Sequence, residues 1–151
     1  MAAGKTTNLA IVGCGNISRG YAETMRAFPQ LTLLGAADIE PERAQAFAVA
    51  NGGRAYASLE ELLADPAVDI VVNLTIHHAH AAVIEQCLRA GKHVFSEKPL
   101  TLTYPEAKML VDLAAERNLR LGCAPITYMG EAQQTAWRII RSGKLGDVRV
   151  A

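Results

Sequence analysis

The chain has 151 residues, 50% of them hydrophobic and 20% charged, which suits one globular domain and supplies enough apolar side chain for a buried core. Fifteen Lys+Arg balance fifteen Asp+Glu, so there is no electrostatic footprint for nucleic acid or an anionic membrane. The longest apolar runs, such as Ile70-Val71-Val72, are far shorter than the ~20 residues of a bilayer span. The N-terminus lacks the apolar region and cleavage site of a signal peptide, and Cys14, Cys87 and Cys123 are too scattered to form a disulfide framework. These features predict a soluble protein of the reducing cytoplasm.

In chain order, residues 8–12 read as a strand that runs through glycines into a helical pattern over 17–27. A second strand at 31–37 precedes a helix over 41–51, with Pro41 at a first helical position, where its missing N–H is not needed. A short helix at 59–63 follows, then a strand at 69–74, a helix at 79–90, a strand at 93–95, a helix at 104–118 and a strand at 119–123. Ser58 with Glu61, and Thr103 with Glu106, have capping-box spacing, and Gly91 and Gly143 stand where helices end. Apolar strands alternating with amphipathic helices predict an α/β fold, a Rossmann-type doubly wound parallel sheet covered on both faces. After Cys123 the pattern changes to a loop, a helix over 131–141 and an extended Val148-Arg149-Val150-Ala151. This divides the chain into a domain at 1–124 and, at 125–151, a connecting helix and first strand of a second domain that is otherwise absent. An edge strand or frayed tail of a complete small protein is the alternative.

Gly13-Cys14-Gly15-Asn16-Ile17-Ser18 follows a strand and opens a helix, the context in which a glycine pattern points to a dinucleotide. Gly13 permits the turn, Gly15 lets the backbone approach a pyrophosphate, and the helix N-terminus supplies N–H groups and a positive dipole end. Ser18 replaces the usual third Gly or Ala. A glycine turn without a ligand would look the same. Asp38, twenty residues after Ser18 at the end of the second strand, argues for the ligand, because a carboxylate there accepts hydrogen bonds from the adenosine ribose; merely beginning the helix at Pro41 is its alternative role. It favours NAD, since a 2'-phosphate meets like charge; Arg43 could compensate and admit NADP. Gly4-Lys5-Thr6 resembles the end of a phosphate-binding Walker loop but precedes a strand, so an NTPase is rejected.

Ligands of open α/β sheets bind beyond the carboxyl ends of the strands, which gathers the glycine loop, Thr75 to His80, and Ser96-Glu97-Lys98-Pro99 around one crevice. Lys98 is the candidate acid–base group; an exposed turn lysine is the bland reading. His77, His78 and His80 have no carboxylate or thiol pattern beside them, so no metal is expected. His80 is the candidate for the cofactor rim, with capping or packing as the alternative. Cys14 has no paired base and reads as a small loop residue.

Together the glycine loop, Asp38, Asp69-Ile70-Val71-Val72-Asn73-Leu74-Thr75, His80 and above all Ala90-Gly91-Lys92-His93-Val94-Phe95-Ser96-Glu97-Lys98-Pro99-Leu100 resemble the glucose–fructose oxidoreductase / inositol dehydrogenase / rhizopine-catabolism oxidoreductases. The resemblance covers essentially the whole chain and includes Ser142-Gly143-Lys144-Leu145-Gly146. It implies an NAD- or NADP-binding N-terminal half and a substrate domain after it. Gly13, Gly15 and Asn16 would hold the pyrophosphate, with Ile17 also among the cofactor-binding residues, Asp38 the ribose, and Thr75 and His80 the rim. Glu97 would face the nicotinamide ribose, and Lys98 would assist proton transfer at a substrate hydroxyl of a sugar, cyclitol or related polyol. It also implies a cis Lys98–Pro99 peptide, and partner aspartate and histidine residues in the absent half, whose sheet would carry any homo-oligomer contact. Ile76 departs from the family, which often has proline there. The expected activity is hydride transfer with a nicotinamide cofactor; the competing reading is a non-catalytic dinucleotide-binding regulatory module.

Overall fold

Strands that are apolar on both faces need helices on both faces, and the chain supplies them in strict alternation. The computed structural model describes residues 6–125, 127–147 and 149. The elements are β1 (Thr7–Val12), α1 (Ser18–Met25), β2 (Leu31–Ala37), α2 (Pro41–Asn51), β3 (Arg54–Ala55), α3 (Leu59–Ala64), β4 (Ile70–Asn73), α4 (His80–Arg89), β5 (His93–Ser96), α5 (Tyr104–Glu116), β6 (Leu121–Cys123), a 3-10 turn (Thr127–Met129) and α6 (Glu131–Arg141). The strands form one parallel sheet in the order β3-β2-β1-β4-β5-β6. The order reverses beside β1, and the crevice at the carboxyl ends of β1 and β4 is therefore the place for a ligand.

The period-two alternation of a strand sorts the core into two layers. Leu9 and Ile11 of β1 pack with Ala22, Met25 and Phe47 of α1 and α2, while Ala10 and Val12 face the layer of Leu62, Ile84, Leu88 and Leu110 from α3, α4 and α5. Leu62, Ile84, Leu88 and Leu110 are fully buried, each a burial of about 1.5–3 kcal/mol. The α1/α2 layer leaves part of the sheet open, where Ile70 and Phe95 are only partly covered.

Two-residue β3 was not anticipated. Its signal was Gly35: a side chain there would collide with the backbone of Arg54, so β2 carries a glycine to let β3 approach. The capping box at Thr103 and Glu106 forms reciprocally. At Ser58 only half of it forms. Ser58 Oγ accepts the Glu61 N–H at 3.2 Å, but the Glu61 carboxylate accepts from Ala57 N–H and pairs with Arg54 of β3 instead of turning back to Ser58.

The distinctive Gly91-Lys92-His93 stretch holds strands together. Buried Lys92 donates from Nζ to the carbonyls of Asp65 (2.7 Å) and Val68 (2.9 Å), tying the α3–β4 loop to the start of β5. His93 Nδ1 accepts the Arg120 N–H at 3.0 Å ahead of β6. Helix α6 forms as expected, with Trp137 53% exposed beneath the Arg141 guanidinium. Val148 and Val150 of the expected final strand lie outside the described residues. Among the described residues no helix is long and apolar enough to cross a membrane.

Candidate cofactor-binding site

The glycine loop divides its work between its two glycines. Gly13 has φ +94°, and a Cβ there would sit 2.7 Å from Leu74 C and Thr75 N; only glycine lets the exit of β1 press against the exit of β4. A Cβ on Gly15 would meet nothing within 4 Å. Gly15 is therefore dispensable for packing, and the space before it is open. Ser18 is buried and donates from Oγ to Gly15 O at 2.7 Å, so the third position closes the turn with a satisfied hydroxyl. Among the described residues no protein acceptor takes the backbone N–H groups of Gly15, Asn16 and Ile17. Free N–H groups at a helix N-terminus before open space are the donor set that a pyrophosphate needs.

Asp38 braces this loop. Its Oδ2 accepts the Cys14 N–H at 2.7 Å and its Oδ1 the Glu40 N–H at 2.9 Å, leaving lone pairs on both oxygens at the end of β2 for ribose hydroxyls. Arg43, the candidate partner for a 2'-phosphate, is paired with Glu40 at 3.0 Å. The Cys14 thiol is pushed up to about 12, by burial first and then by the Asp38 charge. It is a packed loop residue without nucleophilic character at neutral pH.

Across the crevice, a polar network joins the ends of β4 and β5. Buried Asn73 donates from Nδ2 to Ser96 Oγ at 3.2 Å, and its Oδ1 accepts the Thr75 N–H at 3.2 Å and the Thr75 hydroxyl at 2.7 Å. His80, 1% exposed, lies beneath the rim. Its Nδ1 stands 2.6 Å from Pro99 O and its Nε2 3.0 Å from Thr75 O; whichever nitrogen carries the hydrogen donates to a carbonyl of one of the two rim loops. The Lys98–Pro99 peptide is cis. Glu97 Oε2 accepts the Lys98 N–H at 2.9 Å, and Oε1 accepts the Tyr21 hydroxyl at 2.8 Å.

Asn16, Ile17, Tyr21, Glu97 and Lys98 line a groove of about 1000 Å³ together with the apolar Leu9, Ile70, Val72 and Phe95 of the sheet. Lys98 is exposed. The groove thus brings Lys98 together with Asn16 and Ile17, whereas Gly15 and Thr75, expected beside it, lie outside its lining. His77 and His78 are exposed and stack on each other, and among the described residues no three His, Cys, Asp or Glu side chains converge on a metal position. Sequence reasoning passed over Tyr21 and gave no role of their own to Asn73 and Ser96 within the segments it quoted. For the last two the signal was a polar residue ending an apolar strand; Tyr21 gave none, since its partner is 76 residues away.

The reversed strand order and the open glycine cradle define a dinucleotide-binding domain. The sequence model of the oxidoreductase family with a NAD-binding Rossmann fold, Gfo/Idh/MocA, matches residues 7–124, and the chain belongs to that family as an NAD(P)-binding domain. Human trans-1,2-dihydrobenzene-1,2-diol dehydrogenase is 35% identical over 146 residues, 93% of this chain and 43% of its own length. The 3-ketoreductase KijD10 of Actinomadura kijaniata, solved with NADP, superposes with a TM-score of 0.85 at 30% identity, over 95% of this chain and 46% of that one. The WlbA dehydrogenase of Chromobacterium violaceum, solved with NADH and UDP-GlcNAcA, superposes with a TM-score of 0.89 at 26% identity, over 95% of this chain and 42% of that one. The chain spans less than half the length of these relatives.

Proposed function

We propose that residues 1–124 are the cofactor domain, and 125–151 the passage to a substrate domain, of an oxidoreductase that moves hydride between a nicotinamide cofactor and a sugar, cyclitol or related polyol. The observation that carries this reading is the convergence of Lys98 and Glu97, at the exit of β5, with Asn16 and Ile17 of the glycine loop on one groove. The glycine loop holds the pyrophosphate on its free N–H groups, and Asp38 accepts from the adenosine ribose. Glu97 faces the nicotinamide ribose, while Thr75 and buried His80 keep the two rim loops in register. The bound nicotinamide supplies the hydride chemistry. Lys98 Nζ takes or returns the proton of the substrate hydroxyl as the carbon changes oxidation state. The substrate class is supported by one relative whose name refers to a diol and by another solved with a nucleotide-linked sugar.

Two measurements test the reading. Titration of NADH into the 151-residue chain should give saturable heat at submillimolar to millimolar cofactor; folded protein without heat overturns it. With NAD(P) and a panel of sugars and inositols the chain should show no turnover, because holding a substrate carbon against the nicotinamide, which supplies roughly 7–11 kcal/mol of barrier reduction, falls to the second domain. Ordinary turnover would refute the domain division.

A further inference from the structure

Helix α1 is tied to the exit of β5 by one side-chain pair, Tyr21 and Glu97. Tyr21 stands on the first turns of α1, the helix that follows the glycine loop, and its ring lies 6.4 Å from the ring of Phe95, which also lines the groove. Its hydroxyl could turn to solvent. Instead it donates to Glu97 Oε1 at 2.8 Å, while the other oxygen of the same carboxylate accepts the Lys98 N–H at 2.9 Å. The carboxylate is therefore held at both ends, by the turn that carries Lys98 and by the helix that carries the phosphate loop. Tyr21, Glu97 and Lys98 all line the groove.

A glutamate on a turn has three side-chain torsions and no intrinsic reason to keep one rotamer. With one oxygen tied to its own turn and the other to α1, the two bonds together restrict the carboxylate's orientation, and each oxygen keeps acceptor capacity for a further donor. We propose that Tyr21 is the positioning residue for Glu97, fixing the carboxylate at the nicotinamide end of the crevice so that it meets the distal ribose without first being ordered. The proposal rests on the placement of Glu97 in the preceding section. It extends the site to α1 and makes recognition of the nicotinamide half depend on a helix that otherwise serves the pyrophosphate. The Tyr21 phenol is held above its ordinary range, by burial first and then by the Glu97 hydrogen bond and charge, as expected for a hydroxyl that keeps its proton to donate to a carboxylate.

Tyr21→Phe keeps the ring against Phe95 and removes only the donor, so the test uses it with Glu97→Gln and the double variant. The ligands are NADH and ADP; ADP has the adenosine and diphosphate but no distal ribose. By calorimetry, Tyr21→Phe should weaken NADH about five- to tenfold, the scale of one ordinary net hydrogen bond, and leave ADP within twofold of the parent. In the double-variant cycle, Glu97→Gln should add less on the Tyr21→Phe background than alone. A second readout needs no ligand: in tyrosine-ring NMR the Tyr21 resonance should titrate above the ordinary tyrosine range, and Glu97→Gln should move it down. Equal losses for NADH and ADP, additive effects in the cycle, or a Tyr21 titration indifferent to Glu97→Gln would overturn the proposal. A parent chain that binds ADP but gains nothing from the nicotinamide half would overturn the placement of Glu97 and the proposal with it. A parent that binds neither would overturn the dinucleotide reading itself.

Discussion

Replacing either glycine of the loop by alanine adds the same methyl group, and the structure assigns the two changes opposite consequences. Gly13→Ala places Cβ 2.7 Å from the backbone of Leu74 and Thr75 at φ +94°. The left-handed backbone costs about 1–2 kcal/mol, and forcing β1 and β4 apart adds roughly 1–3 kcal/mol more, as overpacking does elsewhere. A loss of about 2–5 kcal/mol in a chain of this size lowers the thermal midpoint by roughly 5–15 °C. Gly15→Ala meets nothing within 4 Å and leaves the midpoint unchanged or slightly raised, since alanine restricts the unfolded chain by about 0.4–1 kcal/mol. Its cost falls on the ligand: the methyl occupies the space a pyrophosphate needs, so NADH and ADP should each bind at least about tenfold more weakly, about 1.4 kcal/mol. Scanning calorimetry without ligand and titration calorimetry with it separate the two. A Gly15→Ala chain that binds NADH like the parent, or a Gly13→Ala chain that melts like the parent, would refute the division of roles.

Three further outcomes are expected. Asp38→Ala should destabilise the chain by about 1–2 kcal/mol, because the Cys14 N–H loses its acceptor, and should also narrow any preference for NAD over NADP; Asp38→Asn, which keeps an acceptor toward Cys14, should narrow it without the loss in chemical denaturation, and an unchanged preference in both would remove Asp38 from cofactor choice. With its thiol near 12, Cys14 should resist iodoacetamide at pH 8 despite its partial exposure, and peptide mapping that finds it alkylated as fast as free cysteine would contradict the burial argument. The Tyr56 hydroxyl donates to Asp65 at 2.7 Å; Tyr56 is raised to about 12, by burial first, and Asp65 is lowered, by that hydrogen bond first. The Tyr56 contribution is thus present below the ordinary tyrosine range near pH 10 and fades as pH rises through about 12, and the Asp65 contribution is present above the ordinary aspartate range near pH 4 and fades below it. The stability gap between parent and Tyr56→Phe should therefore be constant from about pH 5 to 9 and narrow outside that window; a gap indifferent to pH over urea titrations at both extremes would count against the pairing.

Local signals settled a large part of this protein. Period-two and period-3.6 patterns, Pro41 at a helix start and the Thr103–Glu106 box made the alternating fold legible, because each is a short-range preference that tertiary packing here reinforces. Glycines between a strand and a helix, an acid after the next strand and a Glu-Lys-Pro turn after β5 likewise placed the candidate site beyond the carboxyl ends of the strands, since parallel topology gathers strand exits whatever their spacing in the chain. Only the tertiary structure decided what each residue spends its polar groups on. It assigned Gly13 to the contact between β1 and β4 and freed Gly15. It set His80 beneath the rim on two carbonyls, turned Glu61 from Ser58 toward Arg54, buried Lys92 as a strand clip, and joined Tyr21 to Glu97 across 76 residues. Such choices depend on which acceptor is nearest in space after packing has excluded water. A sequence records which groups are present, but the free energy of a buried hydrogen bond belongs to a pair, and the pairs exist only once the sheet has brought the strand ends together.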